Sequence, residues 1–496
     1  MMRWLGLLIA MLIVPGTAHA SWHRAESPNF IVYMDEDESG IREYVERLEQ
    51  YSHLVRILMG ADPNVPSAKL RVFVVRSARH VGQFLSNSRN VAGYYVSSAR
   101  GPYTVVPERT IGHGDFATSG EEVLFHEYAH HLMRQYFPGN YPLWYVEGFA
   151  EFLSTARMEG QNNVQIGHPP SGRVPFLRYG RWLPFRQLLT RETDNIGMLY
   201  AQGWLVTHWA FSDPTIEAHL RSYLRAIQQG ATASDAYDAS FGTEDRRYDR
   251  ELERYMRRDL RAMGFTLPQR PPTPVEVERI SDTEAEIALL YARRGEEGLG
   301  IAEEVAVDNP DDVQALTELA WLRLQNSDAQ GALEAARAAQ ALGSDLAEPN
   351  LFAGMALLRL ARDAGDSRDP RWREARELIA QANQLGPGSA LVLYNFYRAY
   401  PSPDAATDNA REALEAAYFL LPQSTEIRMA FGAELIRQDR FDDADTVLAP
   451  LYQSPHGYAD ENGSASQLQR LREAIAAGRQ RADGNETGEE AVTEIE

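Results

Sequence analysis

The period of the hydrophobic positions changes several times along this chain, and each change marks a different kind of element. Between residues 28 and 118 short apolar runs surround one helical stretch. Asn29–Tyr33 and Leu70–Val75 read as strands, rich in Val, Ile, Phe and Tyr, while Ile41–Leu58 places its apolar residues at helical spacing. Ala92–Val96 and Tyr103–Pro107 read as two more strands with a Gly101-Pro102 turn between them. Residues 119–156 predict two helices joined by a short turn from Phe137 to Pro142. Ser119 is the expected N-cap of the first, with Glu122 as its capping-box partner, and Glu121 and Glu122 suit the positive end of the helix dipole. Val123, Leu124, Ala129, Leu132 and Met133 form its apolar stripe, and Pro138-Gly139 closes it. Residues 160–262 are mainly helical in pattern.

The second half has another rhythm. Leu267–Pro274 is too rich in proline for a helix and predicts an extended connection, so a linker is placed at 267–280. From 281 to 480 Ala, Leu, Glu and Arg recur with helical period. Pro310, Pro387 and Pro422, with Ser344 at the equivalent place, each follow a helix pair at intervals of 34, 43 and 35 residues. The long interval is an insertion at Asp363–Pro370. Small residues recur where helices must approach closely: Ala320, Ala332 and Ala339; Gly354, Ala375 and Ala382; Gly432 and Ala444. The pattern resembles tetratricopeptide repeats, with five helix pairs from 281 to 453 and Leu468–Ala477 as a terminal cap. An array of this kind implies a groove for a peptide or a partner protein. Arg481–Glu496 is small, polar and acidic, and disorder is expected there.

The chemistry is concentrated in the two central helices. His126-Glu127-Tyr128-Ala129-His130 is an H-E-x-x-H motif. On a helix, positions i and i+4 share a face, so His126 and His130 present imidazole nitrogens to one metal ion, with Glu127 placed as general base. Catalytic zinc takes three protein ligands as a rule. The segment Trp144–Phe152 offers the third in Glu147, 17 residues after His130, once the second helix folds back along the first. Glu151, one turn on, is placed to hold a ligating His by its other ring nitrogen. His113, His131 and His208 are surplus to this set and are assigned to packing, surface or substrate pocket.

H-E-x-x-H followed by W-x-x-E-G-x-A-E resembles the gluzincin metallopeptidases, and among them the bacterial peptidase MA-like branch, over roughly residues 27–262. The resemblance implies one Zn2+ held by His126, His130 and Glu147, with Glu127 as the base. It implies an edge strand that aligns the substrate backbone, for which Tyr103–Pro107 is the candidate, and a tyrosine that donates to the oxyanion, for which Tyr200 stands at a comparable place. The fold class expected is an α+β zincin-like metallopeptidase domain at 21–266, followed by the all-α tetratricopeptide-repeat solenoid. The function expected is peptide-bond hydrolysis on a peptide or protein substrate. A scaffold that works through the repeat groove, with a catalytically silent zinc site, is the alternative. The G-x-M-E-N motif of the aminopeptidases is absent, which leans toward an endopeptidase.

Composition narrows the setting. The net charge of −21 argues against nucleic acid as a partner, since phosphates are repelled. The chain has no cysteine, so a metal site must be built from His and carboxylates. Arg3, the apolar run Trp4–Val14 and Ala18-His19-Ala20 read as a signal peptide over residues 1–20, which predicts export to a Gram-negative periplasm or the medium with no membrane anchor after cleavage.

Overall fold

The computed structural model describes residues 22–62, 68–85, 91–109, 118–137, 139–160, 162–191, 193–270, 272–343, 345–452 and 464–493. The expected signal peptide, His113, Pro138 and Ser344 lie outside the described residues.

Nine strands are present among the described residues: β1 Trp22–Glu26, β2 Phe30–Asp35, β3 Leu70–Val75, β4 Tyr94–Ser98, β5 Gly101–Pro107, β6 Arg157–Glu159, β7 Asn163–Ile166, β8 Met263–Thr266 and β9 Glu276–Arg279. Six of them form one sheet in the order β4-β5-β3-β2-β1-β9, and β6-β7-β8 form a second. In the larger sheet β2, β3 and β5 run parallel, and β4 and β1 turn back antiparallel. The parallel trio carries the near-continuous apolar runs expected of strands covered on both faces, and Val72, Val105 and Val106 are fully buried.

Helix α1, Glu38–Leu58, buries Ile41, Val45, Leu48 and Leu54 against this sheet. The short α2, Ala78–Gly82, follows β3. Helices α3, Gly120–Tyr136, and α4, Leu143–Ser154, carry the chemical motifs. Then come α5 Val174–Tyr179, α6 Phe185–Thr190, α7 Ile196–Ser212, α8 Pro214–Gln228, α9 Ala233–Phe241 and α10 Asp245–Met256. One continuous core runs from the sheet through α3 and α4 to Trp204, Tyr223 and Tyr248.

The repeat region is five helix pairs: α11 Asp282–Leu290 with α12 Gly295–Asp308, α13 Val313–Gln325 with α14 Ala329–Ala341, α15 Ala347–Ala364 with α16 Arg371–Leu385, α17 Ala390–Arg398 with α18 Asp408–Leu420, and α19 Thr425–Arg437 with α20 Phe441–Leu448. The small residues singled out above sit at the helix contacts. Ala320, Ala332, Ala339, Ala375, Ala382 and Ala444 are fully buried. A Cβ at Gly354 or Gly432 would lie 2.8 Å from Ile379 or 2.7 Å from Leu448. The region is a tetratricopeptide-like array with its own core.

Three expectations are corrected by this topology. Tyr103–Pro107 is not an edge: β5 lies between β3 and β4, and the edge belongs to β4, because the hairpin folds its first strand to the outside. The hairpin turn is at Ala99-Arg100, while Gly101 and Pro102 already pair with Ser98 and Ser97. The stretch expected to be linker up to 280 ends in β9, which pairs with β1 and so belongs to the first sheet. A terminal helix, α21 Ser464–Thr493, follows the array. Leu468 and Ile475 bury the start of that helix on the array.

The array packs on the first domain through the β4–β5 hairpin. Ala99 joins the array's core, and Arg100 enters between α13 and α15. Its guanidinium makes two hydrogen bonds to Glu318, both 2.7 Å, and two to Glu348, at 3.0 and 3.1 Å. Tyr291, Trp321 and Phe352 surround it at 4.3, 5.1 and 5.1 Å. Further along, Ser97 donates to the Gln423 carbonyl, and Gln423 donates to Gln135 at the end of α3. One face of the array therefore meets the protein's own hairpin.

Candidate metal centre

Helix α3 starts where its sequence predicts. Ser119 Oγ accepts from Glu122 N at 3.0 Å, and Glu122 Oε2 accepts from Ser119 N at 2.9 Å, which completes the capping box. Gly120 fixes the approach of this helix to the sheet, since a Cβ there would fall 1.6 Å from the Pro107 carbonyl oxygen. Tyr51 donates to the Phe125 carbonyl at 2.8 Å and stacks on Phe125, tying the helix to α1 from behind.

The turn after α3 folds α4 back, and Glu147 reaches the imidazoles. His126 Nε2 and His130 Nε2 are 3.0 Å apart, and Glu147 Oε2 lies 3.3 and 3.5 Å from them. Glu147 is fully buried and His130 nearly so. His126 Nδ1 faces Glu151 Oε1 at 3.5 Å. A proton on Nδ1 serves that carboxylate and leaves the Nε2 lone pair directed at the cluster. Glu127 is buried beside His126, and both line a cleft of about 470 Å³ with Tyr200, Glu151 and Arg173.

Tyr200 comes from α7, which crosses α4 backbone to backbone. A Cβ on Gly148 would meet the Gly203 carbonyl carbon at 2.3 Å, and one on Gly203 would meet the Trp144 oxygen at 2.7 Å. Only glycine at both positions allows this crossing, and it places the Tyr200 ring parallel to His126, with centroids 6.0 Å apart. Burial, and then the negative charge and hydrogen bonding of Glu147, push the Tyr200 phenol well above its ordinary range, so it stays a donor at neutral pH.

The electrostatics of the cluster call for one positive charge. Burial pushes His126 down, but the hydrogen bond to Glu147 and the charges of Glu151, Glu147 and Glu127 outweigh it and raise it to about 9. Burial and the neighbouring His126 hold His130 low against the pull of Glu147. Burial opposes ionisation of Glu147, yet the two imidazoles hold it far below the carboxylate range.

The three groups fit a metal ion. A tetrahedral ion with ligands about 2.1 Å away separates them by about 3.4 Å, and the ligand atoms here form a triangle with sides of 3.0, 3.3 and 3.5 Å. Among the described residues this is the cluster of His and carboxylate groups able to hold a metal. Two imidazoles and one carboxylate, with a fourth side toward the cleft, is the donor set of an open zinc site.

The sequence-assigned residues His126, His130, Glu147, Glu127, Glu151 and Tyr200 are thus brought together. His131 and His208 are not in the cluster. His131 is buried against Tyr128, hydrogen-bonded to Tyr95 at 3.0 Å, and pushed down to about 3 by burial and by Arg56 and Arg134. His208 packs in the core with its Nδ1 2.6 Å from the Tyr255 hydroxyl. Three residues were missed. Gly148 and Gly203 had a signal, an isolated glycine inside a helical pattern. Arg173, which binds Glu151, had none.

No protein-family model matches the chain, and no curated protein matches it. Solved structures similar to it include TTC0263, a thermophilic TPR protein of Thermus thermophilus, at 22% identity over 40% of this chain and 99% of that one, with a TM-score of 0.31. Another is MamA, at 18% identity over 32% of this chain and 86% of that one, with a TM-score of 0.25. A MamA RS-1 double mutant stands at 16% identity over 39% and 97%, with a TM-score of 0.26. At these scores the likeness adds nothing to the helix pairs described above.

Proposed function

We propose that the protein is a zinc-dependent peptidase of gluzincin type, exported by the signal peptide at residues 1–20, with the repeat array docked on its catalytic domain. The observation that carries this reading is the triangle of His126, His130 and Glu147 at the wall of a cleft that also holds Glu127 and Tyr200. Zinc bound there supplies Lewis acidity, which acidifies water and polarises a carbonyl. The chain's own residues do the rest. Glu127 accepts a proton from the attacking water and returns it to the leaving amine. Tyr200 donates to the oxygen on which negative charge develops. Glu151 holds His126 in the tautomer that leaves Nε2 free to bind. Ala92 and Gly93, which lead into the edge strand β4, also line the cleft.

Glu127→Gln tests this. It keeps the shape and removes the proton acceptor. Zinc content should stay at about one per chain while hydrolysis of a peptide library falls by roughly 10²–10⁴-fold. Undiminished hydrolysis would remove Glu127 from the mechanism, and with it the proposal.

A second reading makes the repeat array the working part and the metal site silent. Five helix pairs are a protein-interaction architecture, which favours it. A Glu127→Gln chain that replaces the wild type fully in cells would support the scaffold over the peptidase.

A further inference from the structure

We infer that Arg173 is a positioning residue of the metal centre, one cation that fixes both Glu151 and Tyr200 against His126. This rests on reading His126, His130 and Glu147 as a metal site.

Arg173 precedes α5, and its backbone is held by a bond from its N–H to the Pro170 carbonyl at 2.9 Å. Its Nε and Nη2 both donate to Glu151 Oε1, at 3.0 and 2.7 Å. That same oxygen faces His126 Nδ1 at 3.5 Å. The guanidinium also lies over the Tyr200 ring, 4.6 Å from its centroid, and that ring is parallel to His126 within 11°. Tyr200 thus lies against the guanidinium and parallel to the imidazole, and Glu151 joins Arg173 to His126.

This arrangement has a physical purpose. Glu127, Glu147 and Glu151 surround His126, and three carboxylates in one buried place repel each other. Arg173 is the one arginine or lysine among the described residues lining the cleft, so it neutralises Glu151 without competing for the metal. A fork with two bonds to one oxygen fixes the direction of the carboxylate, and a flat face over Tyr200 fixes the ring. Lysine, a point charge on a flexible stem, does neither. Partners of this kind around a metal-binding histidine carry about 10–100-fold in metal affinity.

The experiment is zinc affinity of the full chain, measured by competition with a chromophoric chelator. Arg173→Ala should weaken zinc about 10–100-fold, and Arg173→Lys should recover little of it. Low concentrations of guanidinium should restore the Ala variant where ammonium does not. In a Glu151→Gln background, Arg173→Ala should cost much less, because the charge that Arg173 neutralises is already gone. Wild-type affinity in Arg173→Ala would overturn the inference. So would an equal loss in the Glu151→Gln background, which would mean that Arg173 does not act through Glu151. Should the Ala variant fail to fold, Arg173→Gln is read by the same criteria. A wild-type chain that binds no zinc would fail the metal reading itself, and is distinguished from the other results before any variant is made.

Discussion

Two of the buried polar clusters among the described residues are built on opposite plans. At the domain junction Arg100 is almost completely buried, with 3% of its side chain exposed, between Glu318 at 2% and Glu348 at 33%. Four hydrogen bonds and three aromatic rings satisfy the guanidinium, so the chain supplies both signs of charge itself. At His126, His130 and Glu147 the chain brings three possible ligand atoms together, and under the proposed reading the cation at their centre is a bound metal ion rather than a side chain. The first cluster is closed and holds two domains together. The second is open and faces a cleft. Burying a charge is tolerable only with a partner, and the two clusters differ in whether that partner is covalently part of the protein.

The comparison breaks most visibly at the closed cluster. Arg100→Ala strands two carboxylates at the junction, and losing one member of a buried ion pair costs about 3–5 kcal/mol. The exposed third of Glu348 places the expected value at the low end. Denaturant unfolding should show this loss, and limited proteolysis should find the connection at 267–275 newly open. An unchanged chain would mean that the hairpin is dispensable for docking. At the open cluster stability should instead depend on an added ligand. Free zinc at a hundredfold excess over its Kd should add about 2.7 kcal/mol, and Glu147→Ala should abolish that gain. In Arg100→Ala the zinc gain should remain. Loss of the gain there would show that the two clusters are not independent.

How far each cluster was legible in the sequence follows from the distance between its members along the chain. His126 and His130 are one helical turn apart, the cap at Ser119 and Glu122 is local, and Glu147 follows after one tight turn, so spacing and capping rules reach all of them. Arg100 meets partners 218 and 248 residues away, and nothing near Arg100 announces them. Arg173 finds Glu151 across 22 residues of irregular chain with no period to read. Strand order is hidden for the same reason. Ala92–Val96 and Tyr103–Pro107 have equal claims to a strand, and only the pairing of β5 with β3 decides which is the edge. β1 and β9 were missed because their ladder joins the two ends of the first domain, and Glu276–Arg279 is too short and too charged to read as a strand.

A smaller effect sharpens the description of the open cluster. Gly203→Ala places a methyl group within 2.7 Å of the Trp144 carbonyl oxygen and 3.0 Å of the Gly148 Cα, both backbone atoms that cannot step aside. Overpacking of this kind costs about 1–3 kcal/mol. Because α7 must move away from α4, Tyr200 should leave His126 while His126, His130 and Glu147, which lie on α3 and α4, stay together. Zinc content near the wild-type value with much reduced hydrolysis is the expected result. Loss of zinc in this variant would instead show that the α4–α7 crossing holds Glu147.

The finest test concerns acid at the closed cluster. Burial pushes Glu348 up, but the charge and hydrogen bonds of Arg100, with Arg71 behind it, outweigh burial and hold its carboxyl below the ordinary value. Arg100 does not titrate in this range. A carboxylate lowered on folding contributes stability that is fully present above the unfolded value, near 4.3. That contribution is lost as the pH falls through the folded value, since the unfolded chain then binds the proton first. One such group changes stability by at most about 1.4 kcal/mol per pH unit, and solvent screening of the exposed third of Glu348 keeps it below that ceiling. Between pH 5 and 3 the wild type should therefore lose stability more steeply than Glu348→Gln, which cannot titrate and starts from a weaker junction. Equal slopes would mean that Glu348 binds its proton alike in both states, and that the attraction of Arg100 is spent entirely on overcoming burial.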